Sequence, residues 1–343
     1  TSKVLGFSSI GSGGNIAPTF NVDLTAASSI YFSSDETDGD MGDSSEMGMT
    51  QLYTTSTANG NVVVYDLMNG TSKTIITGSA TSEGIYYSGL NDYMIQASRS
   101  NLALEYYGGF GFNSDGVTLD IDFSSSADLM SPREIAVYGN KVVVSDNMNH
   151  TFYVYAHNGS SFTLMNTFDI DFDVWGITFM GDDLLAVVDN SSDLAIFADF
   201  FSNTEDSMLS ASKRVTIEGI VRTHGITYSV SDDVLVMTDI GDAANTTDDG
   251  GIHTMANFTS LINNTENGGV IALSSQKRIA GSYTELGNPI DVAYDAKTQT
   301  VYISEIGNGK VLGFENSLES EGNVYPSWSM DLAGSSSMYL YNN

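Results

Sequence analysis

One short apolar strand returns seven times along the chain: SSIYFSS at Ser28, EGIYYSG at Glu83, REIAVYG at Arg133, WGITFMG at Trp175, HGITYSV at His224, PIDVAYD at Pro289 and SSMYLYN at Ser336. Such a repeat constrains the fold more than any local propensity, because each unit must bury its apolar face against the next one. The aligned leading residues Ile30, Ile85, Ile135, Ile177, Ile226, Ile290 and Met338 lie 42 to 64 residues apart. Those periods fit four-stranded propeller blades with loops of unequal length.

Each full unit continues with a second strand (YMIQAS, KVVVSDN, LLAVVDN, VLVMTDI, TVYISEI) and a third (VVVYD, ALEYY, FYVYA, LAIFA, IHTMA, KVLGF). A more polar fourth strand closes it. Period-two alternation, β-branched and aromatic enrichment, and Gly/Asn/Asp punctuation make these strands, and the continuous apolar runs predict burial on both faces. A weak helical stretch near Phe200–Ser212 is the one exception to an all-β pattern.

The segment Lys3–Phe32 matches Lys310–Leu340 with a single-residue gap. Complementary pieces of one repeat can close a ring and remove two exposed sheet edges. The expectation is therefore one domain over residues 1–343: an all-β propeller with seven blade positions, six of them full four-stranded blades. The seventh is a composite blade built from residues 1–27 and 335–343, with Met338–Tyr341 beside Val4–Phe7. The same complementarity satisfied between molecules would give self-association.

Composition narrows the partners. The chain has 343 residues, 43 acidic against 12 basic side chains and a net charge of −31, which disfavours nucleic acid and anionic lipid. No apolar run is long enough to cross a bilayer, and the absence of cysteine excludes disulfide and thiolate chemistry. A start at Thr1 fits a processed mature chain or a piece of a longer one. Seven N-x-S/T triplets, at Asn69, Asn149, Asn158, Asn190, Asn245, Asn257 and Asn263, fit glycosylation of an extracellular or cell-surface protein.

Three acidic features bear on chemistry. The insertion DETDGDMGDSSE offers Asp35, Asp38, Asp40 and Asp43 as calcium ligands, with a solvated acidic loop as the alternative. DIGDAANTTDDGG, residues 239–251, has the same two readings. In DIDFD, Asp169, Asp171 and Asp173 alternate as if along one strand face. At the ends of the second strands, Asp146, Asp189, Asp239 and Glu305 recur in what the repeat alignment makes one blade position. They converge with His224 on the channel mouth, near the loops leading to Glu83, Arg133, Trp175 and Asn288. The alternative for these acids is capping of the following turn. His150, His157 and His253 read as surface residues, and the nucleophile, zinc-protease and P-loop motifs are absent.

The stretches GNPIDVAYDAKTQTVYISEIGNGKVLGFENS, GGNIAP, EGNVYP and SPREIAVYGNKVVVSDNMNHTFYVY resemble the extracellular propellers with NHL-like or YncE-like repeats. That resemblance covers nearly all the chain and implies the fold; the group includes lactonases, lyases, ligand-binding scaffolds and structural surface proteins. The leading expectation is a non-enzymatic structural or interaction module at a cell surface with protein or glycan partners. The alternative is a metal-dependent hydrolase or lyase at the channel mouth, where propeller lactonases hold a metal with carboxylates and amides.

Overall fold

The computed structural model describes residues 2–6, 20–24, 49–126 and 128–342, the first two stretches by backbone pairing alone. The chain falls into two units, Thr1–Met47 and Gly48–Asn343. In the first unit, Ser2–Gly6 pairs antiparallel with Phe20–Leu24. Asp35, Asp38, Asp40 and Asp43 lie outside the described residues, as does Ile30.

The second unit is a propeller of six blades, one fewer than the repeat count predicts. Blade two begins with inner strand Ser82–Ser88, blade three with Pro132–Tyr138, blade four with Val174–Met180, blade five with Ile226–Ser229 and blade six with Pro289–Asp295. Blade one runs through Thr50–Ser56, Val62–Asp66 and Thr71–Ile75, and its inner strand is Ser335–Asn342, brought from the far end of the sequence. The seventh repeat is therefore the first strand of blade one. Met338 lies opposite Thr54 and Tyr341 opposite Gln51, so this strand completes a four-stranded blade with Thr50–Ser56, Val62–Asp66 and Thr71–Ile75, in place of the expected three-stranded composite one. Closure within one existing blade needs no extra strands and pairs the edge of Thr50–Ser56 that would otherwise be open.

Consecutive residues of the second and third strands point into opposite inter-blade gaps. Leu184, Ala186 and Val188 pack toward blade three, while Leu185 and Val187 pack toward blade five. Six apolar clusters result, one in each gap between adjacent blades. Both faces are buried, which is why these strands are continuously apolar. Outer edges of blades three and four are covered by short parallel strands, Ser207–Met208 and Val270–Ile271.

Helix is sparse, though not where the sequence suggests. Phe200–Ser202 is a single 3-10 turn, whereas Phe258–Asn264 forms an α-helix anchored by buried Phe258 and Ile262. The strand of DIDFD stops at Asp169, and Ile170–Asp173 crosses to the next blade, so the three carboxylates do not share a strand face. Asp173 instead pairs with His150 at 2.9 Å.

Candidate channel-mouth site

Strand register fixes which residues ring the channel. Opposite the end of each second strand, the inner strands present Glu83, Arg133, Trp175, Ile290 and Ser336 at equivalent places, and His224 takes that place in blade five. One residue deeper stand Gly84, Glu134, Gly176, Gly225, Asp291 and Ser337. Then comes an apolar collar of Ile85, Ile135, Ile177, Ile226, Val292 and Met338. Blade six is thus offset by two from the sequence alignment: Val292, not Ile290, is the partner of Ile135.

The glycines of the second ring are required by crowding. A Cβ on Gly176 would sit 2.3 Å from the His224 carbonyl oxygen, and one on Gly225 2.6 Å from the Asp291 Cα. Inner strands approach this closely only where one of them has no side chain.

The first ring is cross-linked into a chain of charges and rings. Glu83, buried, accepts from Arg99 at 3.2 Å and from Arg133 at 3.1 Å, and the Ser336 hydroxyl donates to its other oxygen. The Arg133 guanidinium lies 3.9 Å above the Trp175 ring, which stacks on His224 at 3.7 Å and 7°. His224 Nε2 and Arg222 both reach Asp189 Oδ1, at 3.2 and 2.9 Å, and Asn147 donates to Oδ2 at 3.2 Å. Three of the five arginines of this acidic chain, Arg99, Arg133 and Arg222, meet here.

Burial drives the His224 pKa down to about 4 in spite of the bond to Asp189, so the ring is neutral at pH 7. A neutral ring that donates to Asp189 through Nε2 has Nδ1 as an acceptor, and that buried atom has no protein partner. For Asp189, burial raises the pKa, but the bonds from His224 and Arg222 outweigh it and hold the carboxyl well below its usual range.

The other sequence-predicted mouth residues bind backbone. Asp146 accepts from the amides of Met130, Ser131 and Asn149. Asp239 accepts from Val221, Arg222 and Gly241. Glu305 accepts from Gly287, Asn288, Gly307 and Asn308, while burial pushes its pKa up to about 7. Asp189 differs because Val188 holds the place opposite Val174 that Asp146 holds opposite Pro132. One residue further on, its carboxylate turns to the channel instead of the loop.

The remaining histidines differ from expectation in two cases. His157 and His253 are buried, the latter bonded through Nδ1 to Gln276 at 2.7 Å, so they are interior residues. In the acidic loop of blade five, Asp242 and Asp249 are tied by backbone bonds within the loop. Among the described residues no three His, Asp or Glu side chains converge as a metal would need. Of the sequon asparagines, Asn69, Asn158, Asn190, Asn257 and Asn263 are exposed, and Asn149 and Asn245 are half-buried.

Sequence reasoning missed Glu134 and Asp291, buried carboxyl groups of the second ring. Burial and mutual repulsion raise the pKa of Glu134 well above normal, and burial pushes that of Asp291 up to about 7. A signal existed: in REIAVYG and PIDVAYD an acid immediately precedes the apolar run, where the other units have glycine or serine.

No protein-family model and no curated protein matches the chain. Solved structures do. A chain of the nidogen/laminin complex superposes with a TM-score of 0.59 at 12% identity, over 85% of this chain and 98% of that one. A 6-phosphogluconolactonase candidate from Bacteroides fragilis NCTC 9343 gives 0.58 at 9%, over 88% and 100%. A protein from Lactobacillus plantarum gives 0.56 at 12%, over 86% and 100%. At these identities the likeness establishes the β-propeller fold alone.

Proposed function

We propose that this protein is a non-enzymatic, extracellular structural or interaction module, and that its partner at a cell surface is a further copy of itself. One observation carries the proposal. In the N-terminal hairpin Lys3 lies opposite Asp23 and Val4 opposite Val22; in blade six Lys310 lies opposite Asp331 and Val311 opposite Met330. The duplicated segments therefore form the same hairpin in the same register. A six-bladed ring has one place for that hairpin and the inner strand that follows it. A chain carrying the cassette twice has one to spare, which enters the ring of another copy by displacing that copy's own second cassette, a head-to-tail exchange that repeats without closing.

The interaction reading is favoured over a metal-dependent hydrolase by the engagement of the mouth: Asp146, Asp239 and Glu305 hold backbone amides, and Asp189 holds an arginine and a histidine. Net acidity and exposed sequons are consistent with an extracellular setting, where calcium at Asp35–Asp43 and glycosylation belong to the same proposal.

Sedimentation velocity across a concentration series tests it. The full chain is expected to form a concentration-dependent ladder of oligomers, and a variant lacking residues 1–24 to remain a folded monomer. A full chain that is monomeric at every concentration would overturn self-association. Lactone or phosphate-ester turnover that needs a metal and is lost in Asp189→Ala would instead establish the enzyme.

A further inference from the structure

Behind the arginine–tryptophan ring lies a chamber of about 380 Å³ lined by all six inner strands. On its mouth side stand Glu83, His224, Ile290 and Ser336, all buried, together with the Arg133–Trp175 stack. Glu134 and Asp291 line the chamber one residue deeper than that ring. They belong to blades three and six, three places apart in the ring, and both carboxyl groups reach the inner strand of blade one, where Glu134 accepts from Ser337 and Asp291 from Met338. Directly beyond the apolar collar the lining includes Thr178, Thr227, Tyr86 and Tyr339, and one residue further Phe179, Tyr228 and Tyr294.

We propose that this chamber is a binding site for a small primary alkylammonium ion, its N–H groups received by Glu134 and Asp291 and its alkyl chain lying against the collar and the aromatic walls. Three features converge on that ligand. The volume is sufficient for a small organic ion. Each carboxylate already has part of its acceptor capacity taken: Glu134 accepts from Ser337 Oγ at 2.6 Å and from the Ile135 amide at 2.8 Å, and Asp291 from the Met338 amide at 2.7 Å. These bonds fix the carboxyl groups in place, while carboxylate oxygens retain further lone pairs for an ammonium. Finally, the lining combines the two carboxyl groups with aromatic side chains, and aromatic faces attract organic cations, while among the described residues no three carboxylate or histidine side chains converge as a bare metal ion would need. An ammonium beside the two acids also supplies the counter-charge that their burial otherwise denies them.

Isothermal titration of the full chain with n-butylammonium chloride is the test, with sodium chloride and butanol as controls. Saturable one-to-one binding is expected, weakened about tenfold or more in Glu134→Gln and in Asp291→Asn, and absent for butanol. Thr227→Phe, which narrows the chamber without touching the acids, is expected to abolish it. Should either acid variant fail to melt cooperatively, the Thr227→Phe variant decides alone. No saturable heat, undiminished affinity in the folded acid variants or in Thr227→Phe, or equal binding of butanol would overturn the proposal.

Discussion

Replacing Glu83 by glutamine removes one charge from the centre of the channel-mouth chain while keeping the side chain's shape. Glu83 is 2% exposed and Arg133 13%, so their pairing at 3.1 Å is poorly screened, whereas Arg99 at 35% is substantially solvated. Breaking a buried pair by removing one partner costs about 3–5 kcal/mol. Three effects reduce that figure: the glutamine carbonyl still accepts one arginine bond, Arg99 can turn to water, and Glu134 and Asp291 lose a repelling neighbour. The expected net loss is about 2 kcal/mol, or roughly 3 °C in Tm for a domain of this size. Differential scanning calorimetry of wild type, Glu83→Gln, Arg133→Met and the double variant gives both the loss and the coupling. A coupling below about 0.5 kcal/mol, or a melting temperature unchanged or raised in Glu83→Gln, would show that the chain does not hold the mouth together.

Three further outcomes are expected. Deleting residues 335–343 removes the inner strand of blade one and the packing of Met338, so urea unfolding should show a loss of at least about 5 kcal/mol; undiminished stability would mean that another segment fills the place. Asp291 and Glu305, both pushed up to about 7 by burial, retain protons in the fold that the unfolded chain has released, so their contribution is present below about pH 4 and is lost as pH rises toward 7. Asp189 acts in the opposite sense below that range, and a Tm that rises steadily from pH 5 to 8 would contradict the assignment. Gly225→Ala should destabilise by about 1–3 kcal/mol, because its Cβ meets backbone that cannot turn aside; a neutral result on thermal melting would remove crowding as the reason for the glycine ring.

The strands were legible because burial on both faces writes itself as unbroken apolar runs, and the number of such runs bounds the number of blades. The count of blades was not legible, because it depends on which of two similar segments fills one place. Ser28–Phe32 and Ser336–Leu340 carry the same pattern, and the pairing of Ser335–Asn342 with Thr50–Ser56 spans almost the whole chain. No local signal reports a contact of that range. The channel followed the same division. Asp146, Asp239 and Glu305 were found by recurrence, and the geometry makes each the capping acid of an inter-blade loop. Asp189 shares their sequence context, yet a displacement of one residue turns its carboxylate to Arg222 and His224, a difference that only register reveals. Glu134 and Asp291 escaped notice because aligning on isoleucine placed Ile290 beside Ile135 and hid their equivalence. Aligning on the second strand instead, with Ser145 opposed to Ser304, places the two acids in one ring, three blades apart. Chemistry in a ring-shaped repeat is thus carried by departures from the repeat, and those departures become readable only after the register between neighbouring strands is known.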